Sequence, residues 1–130
     1  MKKSKIHEFD PVIYPYKLWV IISKKPTDIT DNFLEYNGGE IRDIEKDTEM
    51  LGAFTMPVMD KKQTSYGVII YFRSKKDISY ELAAHEASHA AKYLFSHIGA
   101  DVEPHEPFEY VVGWVAGCIE KVKNKRNGKN

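Results

Sequence analysis

Apolar and polar positions alternate along this chain with more than one period, and the periods divide it into elements. Leu18 to Ile22 in KLWVIIS are consecutive apolar residues rich in β-branched types, which predicts a central strand covered on both faces. LGAFTMPVMD and SYGVIIYFR, separated by the polar KKQT, predict a hairpin whose first strand carries Pro57 and therefore lies at an edge or bulges. Val68 to Phe72 read as buried. From about Ile78 to Ile98 the spacing turns helical, with Ala83, Ala87, Ala90, Ala91, Leu94 and Ile98 as the buried stripe, Asp77 as cap and Gly99 as stop.

A last helix is expected from Pro107, with Glu106 at its cap and Phe108, Val111, Val112, Val115, Ile119 and Val122 on its apolar face. Beside that face Gly113 and Gly117 leave a smooth strip, which predicts a tight crossing of the two helices. DITDNFLEYNGG reads as a short helix capped by Thr27, Asp28 or Thr30 and stopped at Gly38-Gly39. Residues 1 to 10 read as polar and loosely held, the acidic EIRDIEKDTEM fits strand, helix or loop equally, and 121 to 130 form a basic tail expected to be disordered. The sum is one α+β domain over residues 1 to 120. A small twisted sheet, built from segments near 16 to 24, 51 to 59 and 66 to 73, packs on a long helix across which the last helix returns.

Composition agrees with a soluble globular chain: 130 residues, 42% hydrophobic and 29% charged. Nineteen basic and nineteen acidic side chains leave a net charge of zero, so nothing global points to nucleic acid or a membrane surface. The single cysteine, Cys118, excludes an internal disulfide and reads as a small buried hydrophobe. No export signal or membrane-length apolar run is read, and the cytoplasm is the expected compartment. No clear signal for oligomerisation appears.

The chemistry is concentrated in HEASH, residues 85 to 89. On a helix His85 and His89 lie four apart on one face with Glu86 next to them, the arrangement in which two neutral imidazoles bind Zn²⁺ and the glutamate acts on water that the metal acidifies. A catalytic zinc needs a third protein ligand. His97 is roughly 12 Å further along the helix axis at 1.5 Å per residue, too far to share the metal, and reads as a surface residue. Asp101 and Glu103 also lie downstream, but His105, Glu106 and Glu109 stand where a returning helix begins. The helical wheel does not separate the two glutamates. A glutamate is a poor cap, so its place before Pro107 suggests another task and favours Glu106. His105 fits a supporting role beside it, and Tyr66, Tyr93 and Tyr110 read first as packing.

HEASHAAKYLF followed by EPFEYVVGWV, with FDPVIYPYKLWV upstream, resembles a family of small zincin-like metallopeptidases of phages and mobile elements. The resemblance covers most of the chain, although only the His-Glu-x-x-His part is chemically specific. It implies a zincin-like fold, Zn²⁺ as cofactor, His85, His89 and Glu106 as metal ligands, Glu86 as general base and a peptide or protein as substrate. Glu109 departs from the family pattern, which has a small residue there. Its spacing from His89 is similar to that of thermolysin-like enzymes, while Lys92 and Phe95 exclude the metzincin pattern. An extended substrate is expected to add to a sheet edge, with SYGVIIYFR as the candidate strand. Two other readings compete: a structural zinc protein closed by a fourth ligand, and a partner-binding or nucleic-acid-binding module using the basic ends.

Overall fold

The structure is a computed structural model that describes residues 5–42, 52–103 and 105–125. Its centre is a five-stranded sheet. Strand β1 is Ile6–Phe9, β2 Lys17–Ile22, β3 Phe33–Leu34, β4 Ala53–Asp60 and β5 Tyr66–Phe72, in spatial order β1-β2-β5-β4-β3. The β2–β5 pair is parallel and the others are antiparallel. Helix α1 is the single turn Thr27–Thr30, α2 is Tyr80–Ile98 and α3 is His105–Asn124. The architecture is α+β, as the alternation of periods suggests.

Both faces of the sheet are covered, which is why β2 and β5 are apolar at successive positions rather than alternating. Leu18, Val20, Val68, Ile70 and Phe72 face α2 and α3, where they meet Ala87, Ala90, Ala91, Leu94, Val115 and Ile119. Trp19, Ile21, Ile69 and Tyr71 face the other way and pack with Ile29, Phe33, Ile41 and Val58. Full burial of one such large side chain contributes on the order of 1.5–3 kcal/mol. The close β2–β5 pairing depends on Gly67, because a Cβ there would collide with the Lys17 carbonyl oxygen and stand 2.6 Å from the Trp19 ring.

The hairpin forms as expected, with β4 and β5 in register from Ala53↔Phe72 to Met59↔Tyr66 and Asp60 closing the turn. Asp60 accepts from the Thr64 amide and hydroxyl and from the Ser65 amide. Burial pushes its carboxyl up, but these hydrogen bonds outweigh that and hold it below the usual carboxylate range.

Several expectations are corrected. Residues 6 to 9 are an edge strand rather than a loose segment, fixed by pairing with β2 and by Trp19 Nε1 donating to Glu8 Oε1 at 2.9 Å. The helix expected over DITDNFLEYNGG stops after one turn, because Phe33 and Leu34 are taken up in pairs with Asp60 and Met59 of β4. Helix α2 is capped by Ser79, whose hydroxyl accepts from the Leu82 amide at 3.0 Å, and Asp77 instead closes a 3-10 turn. Gly99 does end α2, at φ 73°, a conformation a side chain would disfavour. Helix α3 begins at His105, so Glu106 lies in its first turn rather than at its cap; Pro107 is tolerated there because first-turn amides have no helical acceptor. Lys121–Asn124, assigned to a disordered tail, continue α3. The EIRDIEKDTEM segment lies largely outside the described residues, as do residues 126–130.

Candidate metal centre

Helix α2 crosses the sheet with its alanines inward, and its 3.6-residue period then sends HEASH in two directions. His85 and His89 point outward and are exposed. Their Nε2 atoms are 3.1 Å apart and their rings are nearly perpendicular, at 81°. Two nitrogens bound tetrahedrally at about 2.05 Å from one zinc stand roughly 3.3 Å apart, so the pair already has the spacing of two ligands on one ion.

Glu86 turns the other way, towards the sheet. It is only 5% exposed, and its Oε1 accepts from the Thr55 hydroxyl of β4 at 2.6 Å. A carboxylate this deep needs a donor, and Thr55 supplies one from the neighbouring strand. Sequence reasoning passed over Thr55. The alternation of β4 carried the signal: residues 53, 55 and 57 share the helix-facing side, and Thr55 is the polar member between Ala53 and Pro57.

The third ligand is not gathered. Among the described residues no group of three His, Cys, Asp or Glu side chains is placed to hold a metal. Phe95 and Phe108 stack edge to face at 5.5 Å, which sets the head of α3 against the last turns of α2 rather than beside HEASH. Glu106 and Glu109 are both exposed, and Glu106 lines a groove with Pro11, Tyr14, Tyr110 and Trp114. The side chain of His105 lies outside the described residues. The tight helix crossing expected at Gly113 and Gly117 does not occur there either, since a Cβ at each would meet nothing within 4 Å.

His97 is not a surface residue. It is half-buried, its Nδ1 lies 3.0 Å from the Tyr36 hydroxyl, and the rings of Tyr16, Tyr66 and Tyr36 surround it at 4.7, 5.4 and 5.8 Å. Tyr16 is 2% exposed and its hydroxyl makes no hydrogen bond of ordinary geometry; burial first, and the neighbouring Tyr36 hydroxyl second, drive its phenol far above the ordinary range. Cys118 is buried at 2% exposure, and burial pushes its thiol up to about 11, away from reactive thiolate chemistry.

The edge strand also differs from expectation. SYGVIIYFR is the middle strand β5, and the open edge near the histidines belongs to β4. Strand β3 pairs only with Met59 and Asp60, so among the described residues 53–58 are paired on one side alone, and Pro57 falls within that stretch. No helix among the described residues is long and apolar enough to cross a membrane. No protein-family model, curated protein or solved structure matches this chain.

Proposed function

We propose that the chain is a zinc-dependent peptidase on a minimal zincin-like domain. His85 and His89 hold the metal and Glu86 is the general base; Glu106, with Glu109 as its rival, is the third ligand, which the head of α3 brings to the histidines only by moving towards HEASH when the metal binds. The observation that carries the reading is the 3.1 Å approach of two exposed imidazole nitrogens, one helical turn apart, on a helix whose Glu86 carboxylate is held by the sheet. Zinc, when bound, supplies Lewis acidity that polarises a carbonyl and acidifies water.

The chain's own residues supply the rest. His85 and His89 bring their Nε2 atoms to one point on the exposed face of α2. Glu86 takes the proton of the attacking water and passes it to the leaving amine, while Thr55 holds one of its oxygens in place. The side of β4 that no strand among the described residues pairs offers backbone groups to an extended peptide running beside α2.

The test compares wild type with Glu86→Gln on a mixture of unstructured peptides, with metal content measured on both. Zinc at one equivalent in both proteins, with cleavage in wild type alone, is the expected result. Zinc absent from wild type, or cleavage unchanged in the variant, removes the reading. Metal content of Glu106→Ala and Glu109→Ala then decides the third ligand.

A further inference from the structure

Apart from Glu106, the peptidase reading leaves unused the outer face of α3 and the loop that stands beside it. Pro11, Ile13, Tyr14, Pro107, Tyr110 and Trp114 line a groove of about 420 Å³. Ile13 and Tyr110 on its lining are 77% and 75% exposed, and Val12, next to Ile13 in the chain, is 84% exposed, so large apolar side chains are held out in water on both sides of the groove's mouth. A single exposed apolar residue is ordinary, whereas a cluster is the mark of an interaction surface.

The loop is built to hold them there. Val12 sits at φ 70°, a value β-branched residues avoid, and the turn is closed by the Ile13 amide donating to the Pro11 carbonyl at 2.7 Å. The Val12 amide donates to Asp10 Oδ1 at 2.7 Å, and Asp10 in turn holds Lys17 at 2.9 Å. Strain of this kind persists where its surroundings enforce it, and its effect here is to project Val12 and Ile13 outward.

The face of α3 shows what fits against it. Glu106, Tyr110, Gly113, Trp114, Gly117 and Lys121 follow one another at helical spacing along one side. The head of this region is acidic, with Asp101, Glu106 and Glu109, and its end is basic on balance, with Lys121, Lys123 and Lys125 against Glu120, all exposed. A helix acidic at one end and basic at the other complements its own antiparallel copy. The small and large positions show the same symmetry. With a two-fold axis between Gly113 and Trp114, Tyr110 of each copy meets Gly117 of the other, where a built Cβ finds nothing within 4 Å and a ring has room. We propose that a second copy of this chain docks here, α3 antiparallel to α3, with the Val12–Ile13 loop flanking the contact.

Sedimentation of the full chain across a wide concentration range, with zinc present, should show a species of twice 15.0 kDa. Gly117→Leu fills the socket and should weaken association roughly tenfold or more. Lys121→Glu should weaken it too, and high salt should weaken the wild-type dimer. Register is read by cross-linking, since Cys118 is buried. Gly113→Cys lies beside the axis and should form a disulfide-linked dimer on mild oxidation. Two Lys121→Cys positions stand roughly 22 Å apart along the helices and should not. A monomer at every concentration overturns the proposal, as does a dimer indifferent to Gly117→Leu or one that Lys121→Cys cross-links as readily. None of these readings depends on peptide cleavage.

Discussion

Helix α2 carries two histidine stations, roughly 12 Å apart along its axis, and they are built in opposite ways. At the first, His85 and His89 are exposed and meet each other through their Nε2 atoms. At the second, His97 is enclosed by three tyrosine rings, with one nitrogen against the Tyr36 hydroxyl. Residue type is the same in both places. What differs is what the rest of the chain brings to them: Tyr16 from the approach to β2, Tyr36 from beyond β3 and Tyr66 from the start of β5 pack around the second station and half-bury it, and the outward turn of α2 leaves the first exposed. An exposed pair of imidazoles can serve a metal, whereas a single one packed among tyrosines serves the fold.

The largest expected effect tests that contrast directly. His89→Ala removes half of the converging pair, and zinc affinity should fall by more than the roughly 10–100-fold that loss of an outer-shell partner causes. His97→Phe should leave zinc content unchanged. It keeps a ring among the tyrosines but removes the partner of the Tyr36 hydroxyl, so it should lower unfolding free energy by about 1 kcal/mol. Metal analysis and urea unfolding of both variants suffice. Zinc lost from the His97 variant, or kept in the His89 variant, would dissolve the distinction between the stations.

The first station was legible in the sequence because its geometry is local. Four residues of helix bring His85 and His89 together wherever the helix goes, and the consecutive apolar runs of β2 and β5 announce burial without help from partners. The second station was not legible, since the three tyrosines approach His97 from positions 31 to 81 residues away in the chain. Strands β1 and β3 escaped for the same reason: IHEF and FL are too short to show a period, and their pairing partners define them. The third ligand cannot be read from spacing alone, because spacing along the chain does not set the offset between two helices. Contacts such as Phe95–Phe108 set it, packing the head of α3 against the last turns of α2.

A smaller effect is expected at the tie between the first station and the sheet. Thr55→Val keeps the volume and removes the donor to Glu86. With zinc content unchanged, kcat on a peptide substrate should fall about tenfold while KM stays within twofold, since a badly held base slows proton transfer more than it weakens binding. Thr55→Ser should recover most of the loss. A change confined to KM would place Thr55 in substrate binding rather than in holding Glu86.

The smallest effect lies in the second station and has a pH signature the first lacks. The Tyr16 hydroxyl is buried without a partner, so Tyr16→Phe should be neutral at pH 7 or stabilise by up to about 1 kcal/mol. In alkali the wild type and the variant should diverge. The Tyr16 phenol is raised in the folded chain by burial, while in the unfolded chain it ionises near its ordinary value of about 10. Below about pH 10 both states hold the proton and stability does not respond to this group. Above it the unfolded state releases a proton that the folded state keeps, so stability falls as pH rises, by about 1.4 kcal/mol per unit. Tyr16→Phe removes that one-proton slope. Urea unfolding at intervals from pH 8 to 11 measures it, and parallel curves for the two proteins would mean that the enclosure around His97 opens before Tyr16 titrates.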